Sequence, residues 1–143
     1  MSLELESVGA QLSFALYGAA NRVFRLHKPF LEPLGLTFPQ YLVILDLLNG
    51  SPRTVGELGS RLGMDNGTLT PLLKRMEQRG WLSRRRATHD ERSVIATLLP
   101  AGRVLEQQAQ EIPTKLGSCF DMSVEQIGEL RQHLQPLIAQ LTK

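Results

Sequence analysis

Between Asp65 and Arg92 the apolar residues change their spacing once, at Gly80, and that change limits what the chain can fold into. Up to Gln78 the spacing is helical: Leu69, Leu72, Leu73 and Met76 stand at i, i+3, i+4 and i+7, which predicts one buried stripe. Asp65 is the expected N-cap of this helix and Gly80 its stop. After Gly80, residues 81–86 and 93–99 predict two strands, joined by the polar tip 87–92. A helix running directly into a hairpin is half of a winged helix.

The other half lies upstream. Thr37-Phe-Pro-Gln40 and Thr54-Val-Gly-Glu57 both have the capping-box pattern, so they predict helices over 39–49 and 55–62, and Gly63 allows the turn into the next helix. Residues 5–31 and 101–142 also predict helices, the last opening at a third capping box, Ser123-Val-Glu-Gln126. That helix repeats Ile127, Leu130, Leu134, Leu137 or Ile138, and Leu141 at three- and four-residue steps, although Gly128 and Pro136 weaken it. The expected fold class is mainly α with a small β-hairpin wing (α+β): a winged helix-turn-helix whose flanking helices form a dimerisation domain. At 143 residues the length suits one compact domain. Its expected parts are an N-terminal dimerisation helix (1–36), a winged helix-turn-helix (37–100) and C-terminal dimerisation helices (101–143). A monomer with these helices folded back as a cap is the alternative to the homodimer.

The face of the 65–78 helix opposite its leucines carries small and hydrogen-bonding groups: Gly67, Thr70, Pro71, Lys74 and Gln78, flanked by Asn66, Thr68 and Arg75. Such a face suits a major groove, where small residues allow close approach and Thr, Asn, Lys and Arg meet base edges and phosphates. On the first strand Arg84, Arg85 and Arg86 alternate sides, so they cannot all face one phosphate backbone, and Arg84 and Arg86, which share a side, are the pair expected on DNA together with Asp90 of the tip. Arg92, beside Asp90 at the tip, is the better candidate for a minor groove. The bland alternative is a packed helix followed by a solvated hairpin. Charge argues against it. The chain's net charge is only +2, but between Lys74 and Arg92 seven basic residues face three acidic ones, which is +4 locally and leaves the rest at −2. Local positive potential at the reading face is what capture of double-stranded DNA requires.

These residues resemble a known family. The run Asp-x-Gly-Thr-Leu-Thr-Pro-Leu-Leu-Lys-Arg-Met-Glu, the Arg-Arg-Arg and Asp-Glu-Arg of the hairpin, and Leu-Glu-Pro-Leu-Gly-Leu-Thr-Phe-Pro-Gln-Tyr at 31–41 are similar to MarR-type transcriptional regulators. Within that family they look most like the organic-peroxide-sensing OhrR branch. The resemblance covers about Gln11 to Gly102 and implies a homodimer reading a pseudopalindromic operator with half-sites about one helical turn apart. Ala87 departs from the branch, which usually has an aspartate there that helps brace the wing.

The branch senses peroxide through a first-helix cysteine in Gln-Leu-Cys-Phe-Ala-Leu-Tyr, hydrogen-bonded by two tyrosines. Here the motif reads Gln11-Leu-Ser-Phe-Ala-Leu-Tyr17, so Ser13 stands where the thiol would be, and His27 and Phe38 stand where the tyrosines would be. A serine hydroxyl cannot enter the sulfenic-acid ladder. Changing one residue in the laboratory would not remove three cooperating ones, so the resemblance implies natural divergence. Three signals remain open. A small effector in a pocket of Ser13, Tyr17, His27, Phe38 and Tyr41, with Phe14 and Phe24 nearby, is one, although a packed core explains those aromatics equally well. Redox chemistry at Cys119, the single cysteine, is another, against the common fate of a lone cysteine as a small buried or half-buried residue. Control by protein concentration alone is the third.

Other classes are expected to be absent. Ser13, His27 and Asp46 are the residue types of a triad, but no Gly-x-Ser-x-Gly elbow accompanies them, so neither an enzyme nor catalytic residues are expected. His27, His89 and His133 form no metal-ligand pattern, and no cofactor motif appears. No run of about 18 apolar residues exists for a membrane span and the first residues do not read as a signal peptide, which predicts a cytoplasmic protein. A winged helix that binds protein rather than DNA is the remaining alternative.

Overall fold

In the computed structural model, residues 7–141 are described, and the elements follow the local signals closely. Helix α1 (Val8–Leu31) opens on Ser7, whose side chain accepts from the Ala10 N–H, and runs into a single 3₁₀ turn, Glu32–Leu34. Residues 5 and 6, which the periodicity also assigned to a helix, lie outside the described residues, as does 142. After α2 (Phe38–Asn49), which starts one residue before the expected position, come β1 (Arg53–Thr54), α3 (Val55–Leu62) and α4 (Asn66–Gln78). Then follow β2 (Leu82–Arg86), β3 (Val94–Leu98), α5 (Pro100–Arg103), α6 (Glu106–Gly117) and α7 (Val124–Leu141). No single helix among the described residues is long and apolar enough to cross a membrane.

The length suited one compact domain, yet contacts divide the chain at Phe38/Pro39 into two units. In the first, Gly35 takes a left-handed conformation (φ 73°) that only glycine adopts cheaply, ending the 3₁₀ turn so that buried Leu36 returns its N–H to the Leu31 carbonyl at 3.2 Å. The Phe38 ring closes this unit, 4.8 Å from Phe24 and edge-on to His27 at 4.7 Å.

The second unit holds the helix-turn-helix and the wing. Thr54 and Glu57 form the expected reciprocal cap, with the Thr54 N–H donating to Glu57 at 2.9 Å and the Glu57 N–H to Thr54 Oγ1 at 3.0 Å. Gly63 (φ 68°) turns the chain, and Asp65 caps α4 by accepting from the Thr68 N–H at 2.7 Å. Gly80 (φ 78°) ends it, with Trp81 N–H reaching back to the Met76 carbonyl. The stripe Leu69, Leu72, Leu73 and Met76 is buried together with Val43, Ile44 and Leu47 of α2, Leu58 of α3, and Leu82, Ala96 and Leu98 of the sheet.

The hairpin is one strand richer than its sequence predicts. The sheet has the order β1-β3-β2, all antiparallel, with Arg53 opposite Ala96 on one side of β3 and Arg84 opposite Ala96 on the other. Two residues carry no period of their own, so β1 exists only because the edge of β3 is there to pair with it.

Candidate nucleic-acid interface

Leucines inside leave the rest of α4 in solvent. Gly67, Thr68, Pro71, Lys74 and Arg75 are exposed, as are Asn66 and Thr70. A cleft of about 390 Å³ opens between the start of α3, α4 and the wing, lined by Asn66, Thr70, Arg84, Asp90 and Arg92 together with Thr54. Five of the expected reading residues, Asn66, Thr70, Arg84, Asp90 and Arg92, thus line one concavity although 26 positions of sequence separate Asn66 from Arg92, whereas Gly67, Thr68, Pro71, Lys74, Arg75 and Arg86 do not line it.

The wing arginines do different things. Arg84 turns back to the helix: its guanidinium lies 3.2 Å from Glu77 Oε1, and its backbone N–H donates to Glu77 Oε2 at 2.8 Å. That backbone hydrogen bond, assisted by the guanidinium, holds the Glu77 carboxyl below the usual carboxylate range. Arg84 therefore lines the cleft with its charge already engaged. Arg86 is exposed and reaches the Glu91 carbonyl at 2.6 Å, while Asp90 accepts the Arg92 N–H at 3.0 Å, so the tip is tied by its own polar groups. Ala87 closes the hairpin through its backbone, N–H to the Ser93 carbonyl at 2.8 Å, without needing a side chain there. Arg85 and Arg92 are exposed.

Asp46 is engaged by two cations of its own unit. It is buried in α2 between two guanidinium groups: Arg61 donates to Oδ1 at 2.7 Å, and Arg53 Nε stands 3.0 Å from Oδ2. The Arg53 N–H is aimed instead at the Asp46 backbone carbonyl, 3.4 Å away, so Oδ2 is charge-paired without a hydrogen bond. This cluster had no signature in the sequence, since its members come from three elements.

The expected sensor residues divide between the two units, four in the first and Tyr41 in the second. Ser13 and Tyr17 sit on α1 with their side chains in solvent, Tyr17 71% exposed and the neighbouring Phe14 76%. His27 is buried, its Nδ1 hydrogen-bonded to the Val23 carbonyl at 2.8 Å, and shares the first unit with Phe24 and Phe38. Tyr41 belongs to the second unit, where its hydroxyl lies 3.5 Å from the Ala109 carbonyl and burial raises its pKa. Cys119 is exposed just beyond α6, contrary to the buried fate expected of a lone cysteine, because α6 ends at Gly117 and the turn carries the thiol outward, 3.7 Å from the Lys115 carbonyl. His89 and His133 are exposed, and no cluster of metal-ligating groups exists among the described residues.

A capped helix-turn-helix, a polar recognition face and an arginine-bearing wing define a winged-helix regulator, and the chain belongs to the MarR family, whose pattern matches residues 36–94. Its relatives are transcriptional regulators, not enzymes. The organic hydroperoxide resistance transcriptional regulator of Bacillus subtilis (strain 168) is 40% identical over 131 residues, covering 92% of this chain and 89% of that protein. Reduced AbfR bound to DNA superposes with a TM-score of 0.82 at 31% identity, over 99% of this chain and 96% of AbfR. A mutant MarR from E. coli complexed with operator DNA shares the fold, with a TM-score of 0.80 at 24% identity over 96% of this chain and 99% of that one.

Proposed function

We propose that this protein is a homodimeric, sequence-specific double-stranded-DNA-binding repressor of the cytoplasm, which covers a promoter and leaves it when the spacing of its two recognition helices changes. The observation that carries this is the cleft that brings Asn66 and Thr70 of α4 together with Arg92 of the wing. In this reading Asn66, Gly67, Thr68, Thr70, Pro71, Lys74 and Arg75 enter a major groove, Arg92 reaches the adjoining minor groove, and Arg86 and Asp90 order the tip. Segment 37–100 reads DNA, while 1–36 and 101–143 join the subunits. Apolar side chains left in solvent by the single chain support that division: Phe14 and Tyr17 on α1, Leu130 and Ile138 on α7. The DNA-bound state of AbfR supports the choice of partner.

The signal does not pass through oxidation of the first helix, because Ser13 cannot form a sulfenic acid. A small apolar effector is the reading we favour. A cavity of about 390 Å³ in the first unit, lined by Phe24, Leu31, Leu36 and Phe38 with Arg25, Lys28 and Glu32 at its rim, supports this reading. A second reading rests on the exposure of Cys119: a redox response through an intersubunit or mixed disulfide.

The test separates contacts by kind. Arg92→Ala weakens binding to all duplexes alike, whereas Thr70→Ala and Lys74→Ala also alter sequence preference. If Arg92→Ala binds like wild type at physiological salt, the wing assignment fails.

A further inference from the structure

Both edges of the wing sheet are held by carboxylates from helices of the same unit. At the β1 edge Arg53 is paired with Asp46 of α2, which Arg61 of α3 holds from its other oxygen. At the β2 edge Glu77 of α4 takes both the backbone N–H and the guanidinium of Arg84. Between them runs β3, whose N-terminal end leads back to the tip that carries Arg92.

We propose that Asp46 and Glu77 are positioning residues for DNA binding, fixing the wing and its Arg92 against the recognition helix before DNA arrives. The inference rests on the DNA reading above and goes beyond it, since neither carboxylate is asked to touch DNA. Asp46 is 7% exposed, and Glu77 is committed to β2. A hairpin alone is marginally stable in water, and the third strand here is two residues long, so the wing needs fastening from outside the sheet. The fastening uses cations that a DNA-binding surface would otherwise spend on phosphates. What Arg84 gives up in charge, the wing gains in fixed direction.

Electrostatics and positioning predict opposite signs. Removing a carboxylate beside a polyanion site strengthens binding if charge alone matters, because the local potential becomes more positive. Positioning predicts weaker binding. The experiment is a double-mutant cycle on the full chain, read by fluorescence anisotropy with a duplex from the upstream region of its own gene at several salt concentrations. Glu77→Ala is expected to weaken binding about tenfold despite its added positive charge, and to flatten the salt dependence by about one phosphate contact. Arg92→Ala, expected to cost about tenfold in the wild-type background, costs no more than about threefold once Glu77 is gone, because an unfastened tip no longer finds its groove. Glu77→Gln still accepts the Arg84 N–H and falls between. Asp46→Asn follows the same pattern, and Glu77 carries the test if that buried substitution does not fold. Binding by Glu77→Ala as tight as wild type or tighter overturns the proposal, as does an equal cost of Arg92→Ala in both backgrounds. Wild-type protein that ignores every duplex overturns the DNA reading itself, and this inference with it.

Discussion

Gly102 gives the sharpest stability prediction, because two ordinary expectations about it have opposite signs. It lies in the short helix α5, where alanine should be better than glycine by about 0.5–1 kcal/mol. Packing says otherwise. A Cβ built there meets the backbone oxygen of Trp81 and comes within 2.5 Å of Leu98 Cδ1. The leucine methyl can rotate away, but the carbonyl cannot, since it accepts the Leu99 N–H at 2.9 Å where the sheet runs into α5. Overpacking against fixed backbone costs about 1–3 kcal/mol, and a stretched hydrogen bond adds about 1 kcal/mol. Net of the helix gain, Gly102→Ala is expected to destabilise by about 1–3.5 kcal/mol, or about 3–12 °C in Tm for a chain of this size. Gly117→Ala is the internal control: its Cβ meets nothing within 4 Å, so the same substitution at the end of α6 is neutral or stabilising by a few tenths of a kcal/mol, on the order of a surface helix site. Urea titrations of both variants, with m-values unchanged, read these signs directly. A Gly102→Ala protein as stable as wild type would refute the close approach of α5 to the root of the wing.

Three further outcomes follow from the packing, the ion pair and the thiol. Leu73→Ala, at a fully buried position facing the core from α4, should lose about 2–5 kcal/mol by urea unfolding, and a loss under about 1 kcal/mol would mean the stripe is not the buried face. The folded-state carboxyl of Glu77 lies below its ordinary value of 4.5, so the stability it contributes is present above that value and disappears as pH falls through the lowered one. Glu77→Gln should therefore remove part of the acid-side slope of Tm against pH. An identical slope would deny the pair. For Cys119, the favoured effector reading expects hydroperoxide to leave operator affinity unchanged. A Cys119-dependent dimer or adduct on a non-reducing diagonal gel, with lost affinity, would move the signal to that thiol.

Sequence made local features legible and long-range ones not. Thr54 and Glu57, Asp65, Gly80, and Ser123 with Gln126 mark their helix ends because each cap is closed within three or four residues. The α4 stripe was readable for the same reason, its spacing being a property of one helix. Strand β1 was not, because Arg53 and Thr54 are extended only through pairing with Ala96 and Ile95, far away in the chain. The arginines show the limit most clearly: alternation along β2 warned that Arg84, Arg85 and Arg86 could not share a role, yet only the fold reveals that Glu77 draws Arg84 inward. The partners of Asp46, Arg53 and Arg61, are likewise invisible along the chain, because they come from β1 and α3.

In the proposed function the protein holds double-stranded DNA chiefly through phosphate contacts placed by helix and wing. The most direct test of this is equilibrium binding of the purified protein to duplex from its own upstream region across a salt series. Log affinity is expected to fall steeply and linearly with log salt, with a slope of about −0.9 for every phosphate neutralised, and an unrelated duplex to bind more weakly with a similar dependence. Failure to bind any duplex in dilute buffer, or affinity indifferent to salt, would contradict it.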